Sequence, residues 1–263
     1  QGPSKTALKV GQRELPDNAR LDGWTSALLS NAEMLNWLEH SRGISAETIQ
    51  RFGLGLNDGW LMIPIIDRDG KLVNIRQYNR NADDGAKVMH WKGWGRPTRL
   101  FPMDVLLEDP KEIVICEGEL DAIVANQNGL PTITSTGGVK TLAKWNPEWT
   151  EWVKGRVVTL CFDCDPIGRK SAKQLADILS PEVKSLKLVR LPYRISQTSL
   201  SMATRQRIFR SMSRRRLRSA TASARLASTT DSFESHRSTG ASHSQSWRRP
   251  ARSSRASQCF RAA

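Results

Sequence analysis

The chain has 263 residues, with 40 Lys and Arg against 26 Asp and Glu, for a formal net charge of +14. That length accommodates one or two domains with cores of their own. No run of 18 apolar residues occurs, so the sequence excludes a membrane-spanning helix. Four cysteines (Cys116, Cys161, Cys164 and Cys259) are too few for a disulfide scaffold and point to a reducing compartment, the cytoplasm. With neither an initiator Met nor a signal peptide, Gln1 reads as the start of a fragment.

The charge is unevenly placed. Residues 191–263 hold 15 of the 40 basic residues, all of them Arg, but only two acids, Asp231 and Glu234. They also hold 17 Ser, and the last Lys of the chain is Lys187. Such a segment buries too little apolar surface to offset chain entropy, and it is expected to be disordered. Two readings of it stand. One is an Arg-rich nucleic-acid arm, densest at Arg214, Arg215, Arg216 and Arg218. The other is a shifted reading frame, which the abrupt change near Leu191–Ile195 favours.

In chain order, residues 1–23 are polar and read as a lead-in loop. Ser30 and Glu33 make a capping box for a helix carrying Met34, Leu35, Trp37 and Leu38, which Gly43 ends. Ser45 caps a second short helix with Ile49 and Phe52 inward. Trp60–Ile66 and Leu72–Tyr78, joined through Asp69-Gly70, predict a β-hairpin. Residues 79–103 interleave Arg80, Lys87, Lys92, Arg96 and Arg99 with His90, Trp91 and Trp94. That mixture suits either Trp side chains packed under a solvated face or a surface for nucleic acid.

From Lys111 the pattern becomes strand–helix alternation. Strands are predicted at Ile113–Cys116, Thr132–Thr134, Val157–Phe162 and Leu186–Leu191, with helices at Leu120–Asn126 and Ser171–Leu179 and further helical turns up to Trp152. This predicts βαβ units around a parallel sheet, an α/β fold. Glu117 and Asp121 follow the first of these strands, and Asp163 and Asp165 follow the third. Ligands of open parallel sheets bind beyond the carboxyl ends of the strands, so both acidic clusters belong at one rim. Converging carboxylates repel unless a divalent cation lies among them, and oxygen ligands of this kind suit Mg²⁺.

The Glu117-Gly118-Glu119-Leu120-Asp121 and Asp163-Cys164-Asp165-Pro166-Ile167-Gly168 motifs, with Ser135-Thr136-Gly137-Gly138 between them, resemble the Toprim domain of primases, topoisomerases and some nucleases. Upstream, Trp37–Ser45, Ile49–Gly55 and Leu61–Ile65 resemble the N-terminal part of the bacterial and phage primase catalytic core. The form of the first acidic motif is most like phage primase-helicases. The resemblance covers roughly 30–191. It implies an α+β basic subdomain over 30–110 after a lead-in at 1–29, a Toprim subdomain over 111–191, and a tail over 192–263. It also implies RNA primer synthesis from nucleoside triphosphates on a single-stranded DNA template, with a replicative helicase as partner, in the cytoplasm of a bacterium or phage-infected host.

Carried over by resemblance, Glu117, Asp121, Asp163 and Asp165 are the catalytic acids. Glu117, Asp163 and Asp165 are the ligands of Mg²⁺ or Mn²⁺, and Arg42, Arg76, Lys87 and Arg99 grip template and triphosphate. One departure stands out. The family has a further Asp-containing segment after a Leu-Pro step, whereas Leu191-Pro192 is followed by no acid until Asp231. The resemblance therefore implies a weakened second metal. A Toprim nuclease or topoisomerase is an alternative, although a topoisomerase needs a catalytic Tyr and only Tyr78 and Tyr193 occur. A binding module without turnover is another. Cys161-x-x-Cys164 has no second pair to complete a zinc site, and Gly137–Thr141 lacks the spacing of a phosphate-binding loop.

Overall fold

A computed structural model describes residues 13–82, 88–94 and 98–190. The arginine-rich segment from 191 onward, and Lys87 and Arg96, lie outside the described residues. Within them the chain forms a mixed α/β structure with two sheets.

The N-terminal part begins earlier than the sequence suggested. Asp17 accepts a hydrogen bond from Arg20 N and caps α1 (Asn18–Ser30), where a lead-in loop was expected. The helix forms because Leu21, Trp24 and Leu28 recur at helical spacing and bury one face. Asn31, rather than Ser30, caps α2 (Ala32–Asn36) by accepting from Met34 N. The chain then widens into a π-helical turn over Trp37–Arg42, and Gly43, at φ 67°, ends it in the left-handed conformation. Ser45 caps α3 (Ala46–Arg51), whose Ile49 is fully buried, as expected.

Strands β1 (Gly55–Asn57), β2 (Trp60–Ile66), β3 (Leu72–Tyr78) and β4 (Val88–His90) make an antiparallel sheet in that order. The β2–β3 hairpin has the residue limits read from the sequence. Its two faces serve different cores. Leu61, Ile63, Ile65 and Tyr78 join a core with Leu28, Leu38, Ile44 and Ile49, while Met62 and Ile75 pack with Trp24 and Trp91 on the other side.

The second sheet follows a two-residue strand, β5 (Leu100–Phe101), and a short helix, α4 (Asp104–Leu107). It comprises β6 (Glu112–Cys116), β7 (Thr132–Ser135), β8 (Val157–Phe162) and β9 (Ser185–Arg190), with β5 antiparallel at one edge. The order is β5-β7-β6-β8-β9, and the other pairings are parallel. Helix α5 (Glu119–Gln127) connects β6 to β7, and α7 (Pro166–Leu179) connects β8 to β9. Between β7 and β8 lie α6 (Val139–Leu142) and a 3₁₀ turn over Pro147–Trp152.

The main core draws on both sides of residue 110. Ile123, Val124 and Leu130 pack in it with Leu28, Leu38 and Ile63. Truncating a fully buried Leu costs about 2–5 kcal/mol, so Leu28→Ala should lower stability by that amount in urea unfolding. A change near zero would show that α1 adds no more to the fold than a lead-in loop would.

Candidate active site

The strand order places the acids. From central β6 the chain turns through α5 toward β7, while from β8 it turns through α7 toward β9, the opposite way. The switch point of the sheet is therefore the gap between β6 and β8 at their carboxyl ends. Cys116 of β6 is in register with Cys161 of β8, so Glu117 and Asp163 leave adjacent strand ends.

Glu117 is half-buried there, and its Oε1 accepts a hydrogen bond of 2.8 Å from the Asp163 backbone N–H. Burial, joined by the charges of Asp163, Asp165 and Asp121, pushes its pKa up to about 7, although the bond from Asp163 N opposes the rise. The local geometry depends on Gly168. A methyl group on its Cα would lie 2.3 Å from the Asp163 carbonyl oxygen and 2.6 Å from Glu117 Oε1. The glycine of the second acidic motif is thus the position that lets the first turn of α7 touch Glu117.

Asp165 has a role that sequence reasoning missed. It is the N-cap of α7, accepting from Gly168 N at 2.6 Å, and Pro166 occupies the first turn. Asp-Pro is itself a helix-start signal. Reading it as one would have begun the helix five residues before Ser171. Opposite, the Ser135–Gly138 loop passes close to the backbone of Glu117 at Gly138, whose φ 67° and ψ −162° only glycine adopts readily.

The basic residues are dispersed. The Arg42 guanidinium lies over the stacked rings of Trp37 and Tyr78 and donates to the Tyr78 hydroxyl at 2.6 Å. Arg99 joins the Ser135–Gly138 loop through two bonds, Arg99 N to Thr136 Oγ1 and Thr136 N to Arg99 O. Arg76 is only 8 % exposed and pairs with Glu119, itself 8 % exposed. Trp91 is buried and donates to the Glu14 carbonyl, which is the packed alternative of the two the sequence left open.

Among the described residues no three acidic, His or Cys side chains stand close enough to form a ready-made metal centre. The expected three-carboxylate set is not gathered there as the side chains stand. The donor chemistry nonetheless fits Mg²⁺, which binds through one or two carboxylates and keeps waters and substrate phosphates as its other ligands. Glu117, desolvated among like charges, is the carboxylate such an ion would relieve most.

Comparison with known proteins agrees with this architecture. Residues 114–196 match a family model described as Toprim-like. The gene 57 protein of Mycobacterium phage D29 is 35 % identical over 126 residues, covering 46 % of this chain and 78 % of the phage protein. A DNA primase of Thermotoga maritima is 26 % identical over 166 residues, covering 57 % of this chain but only 29 % of the primase. The Aquifex aeolicus primase, solved with its zinc-binding and RNA polymerase domains, superposes with a TM-score of 0.57 at 18 % identity, over 74 % of this chain and 59 % of that one.

Fold and rim define a Toprim-like α/β protein. Within that class, the chain belongs to the same family as the gene 57 protein of Mycobacterium phage D29, and it shares the fold of bacterial primase catalytic cores.

The raised pKa of Glu117 makes stability depend on pH. Below pH 4.5 the group is protonated in the folded and the unfolded chain alike and costs nothing. As pH rises from there toward 7 the unfolded chain ionises first, so the fold loses stability, and above 7 the full penalty is in place. Glu117→Gln keeps the acceptor for Asp163 N. It should therefore stabilise the protein by roughly 2–3 kcal/mol at pH 8, allowing for solvent screening at its exposed edge, and by almost nothing at pH 4. Thermal unfolding at the two pH values checks this, and equal shifts would refute the raised pKa. Gly168→Ala is the companion test of packing, since the same change gains up to about 1 kcal/mol in an ordinary helix. Here it should cost about 1–3 kcal/mol through overpacking, read from the urea midpoint.

Proposed function

We propose that this chain is a primase-type nucleotidyltransferase that makes RNA primers on single-stranded DNA from nucleoside triphosphates. The observation that carries the reading is Glu117. It is a desolvated carboxylate at the switch point of a primase-type fold, with Asp163 and Asp165 on the adjacent strand end. In this reading Glu117, Asp163 and Asp165 hold Mg²⁺ or Mn²⁺ through part of its shell, with water and substrate phosphate completing it. A bound divalent ion would neutralise the triphosphate and the departing pyrophosphate.

The chain's own residues then have distinct tasks. Glu117, with a pKa raised to about 7 in the metal-free protein, can take up a proton near neutral pH and give it up when a divalent cation binds. Asp121, in the first turn of α5, adds negative charge to the same rim. Arg42 and Arg99, with Lys87, are assigned to phosphate binding on template or triphosphate. A replicative helicase is the expected partner, and DNA replication, in a phage or its host, the setting.

A second reading, a nucleic-acid-binding module with little turnover, is favoured by one feature: no acid follows Pro192 until Asp231. Nucleotide incorporation by the full chain, with Mn²⁺ titration alongside, separates the two. The expected outcome is weak, metal-dependent incorporation, lost in the double variant Asp163→Asn, Asp165→Asn together with Mn²⁺ binding. Mn²⁺ binding equal in the double variant and the parent would overturn the metal assignment. Binding without any incorporation would favour the module.

The basic assignments have their own check. In a chain ending at Arg190, which removes the arginine-rich segment from the signal, Arg42→Ala and Arg99→Ala should each flatten the salt dependence of single-strand binding. Every phosphate left unneutralised lowers the log–log slope by about 0.7. Slopes unchanged in both variants would place the template elsewhere.

A further inference from the structure

Arg76, in the antiparallel sheet, and Glu119, at the start of α5, are 43 residues apart in the chain and meet in the interior. Arg76 Nε donates to Glu119 Oε1 at 2.7 Å, and Arg76 Nη1 donates to His90 Nε2 at 2.6 Å. Among the described residues it is the only ion pair whose two side chains are both about nine-tenths buried. Arg76 lies in β3, opposite His90 of β4, and Glu119 is the first residue of α5. A carboxylate suits that position, because α5 has no side-chain cap at Gly118 and its first turn favours negative charge.

Glu119 lies two residues after Glu117. A two-residue span is at most about 7 Å long, so the place of Glu119 largely sets the place of Glu117. Pairing Glu119 with Arg76 ties the acidic rim of the parallel sheet to the antiparallel sheet. The ties nearby are different in kind. Gln127 at the far end of α5 donates to Gly43 O and accepts from Ser45 N, holding the other end of the same helix to the N-terminal part.

We propose that Arg76 and Glu119 are positioning residues: a buried clamp that docks the start of α5 on the antiparallel sheet and thereby sets the Glu117 carboxylate, neither residue contacting metal or phosphate. This rests on the reading of the rim as a metal site. It removes Arg76 from the groups assigned to template and triphosphate. It also gives Glu119, an acid within the first motif, a partner other than the metal.

The test uses the full chain with Arg76→Gln, Glu119→Gln, the two combined, and Arg76→Lys, followed by urea unfolding and by Mn²⁺ titration. Removing one member of a buried pair leaves the other uncompensated. Each single Gln variant should therefore lower the urea midpoint, and the combined variant should fall no further than the worse single. For Mn²⁺, the clamp predicts that both single variants weaken binding several-fold, with no further loss when combined and near-parental affinity in Arg76→Lys. The sign for Arg76 is diagnostic. Removing a cation that acts only through its charge would tighten Mn²⁺ binding. Loss of binding in Glu119→Gln with none in Arg76→Gln would make Glu119 a ligand and overturn the proposal. Unchanged affinity in every variant would reduce the pair to a purely structural role and overturn it as well. If the parent chain binds no Mn²⁺, the metal reading fails, and a midpoint that falls additively in the combined variant would still refute the clamp.

Discussion

The contact between Glu117 and the first turn of α7 is the constraint around which the rim is built. A carboxylate half out of water, facing three other acids, is an unfavourable object. The backbone N–H of Asp163 holds it, and α7 can lie this close to both residues of that bond only because residue 168 has no Cβ. Packing and electrostatics here pull in opposite directions. The helix approaches closely because glycine permits it, and the approach concentrates negative charge. A site tuned this way accepts strain in the free protein that a divalent cation would relieve.

The two sheets divide the work of supporting it. The parallel sheet brings β6 and β8 side by side in register, so that two acidic motifs 46 residues apart emerge next to each other. Among the described residues, the acids whose charges act on Glu117, namely Asp163, Asp165 and Asp121, all follow strands of the parallel sheet. The antiparallel sheet contributes an apolar face, formed by Leu61, Ile63 and Ile65, on which α5 packs through Ile123 and Val124 within one shared core. A buried ion pair at the start of α5 ties it to β3, and part-buried bonds of Gln127 at its end tie it to Gly43 and Ser45. Apolar packing is tolerant of small slips, whereas paired hydrogen-bonding groups are not.

Aromatic and basic residues illustrate how composition alone leaves roles open. Trp91 and Trp94, interleaved with cations in the sequence, both donate to backbone carbonyls of the segment just before α1, at Glu14 and Arg13. They fasten that segment instead of offering open rings. Tyr78 and Trp37, far apart in the chain, form the stack on which Arg42 lies. Spacing along a strand gives the face a residue occupies, but not which distant element covers that face.

The sequence by itself determined the hairpin, the strand–helix alternation after Lys111, the buried strands Val157–Phe162 and Ile113–Cys116, and the placing of Glu117 and Asp163 at strand ends. Each is a consequence of short-range periodicity or of apolar runs bounded by turn residues, and such signals are local. It also held two signals that were passed over, the Leu21–Trp24–Leu28 spacing of α1 and the Asp165-Pro166 start of α7. Only the tertiary structure decided the strand order that makes the β6–β8 gap the switch point, the need for glycine at 168, and the burial of Arg76 against Glu119. Those depend on which elements come together across long stretches of chain. No local pattern encodes the distance between two side chains until the cores that carry them have closed.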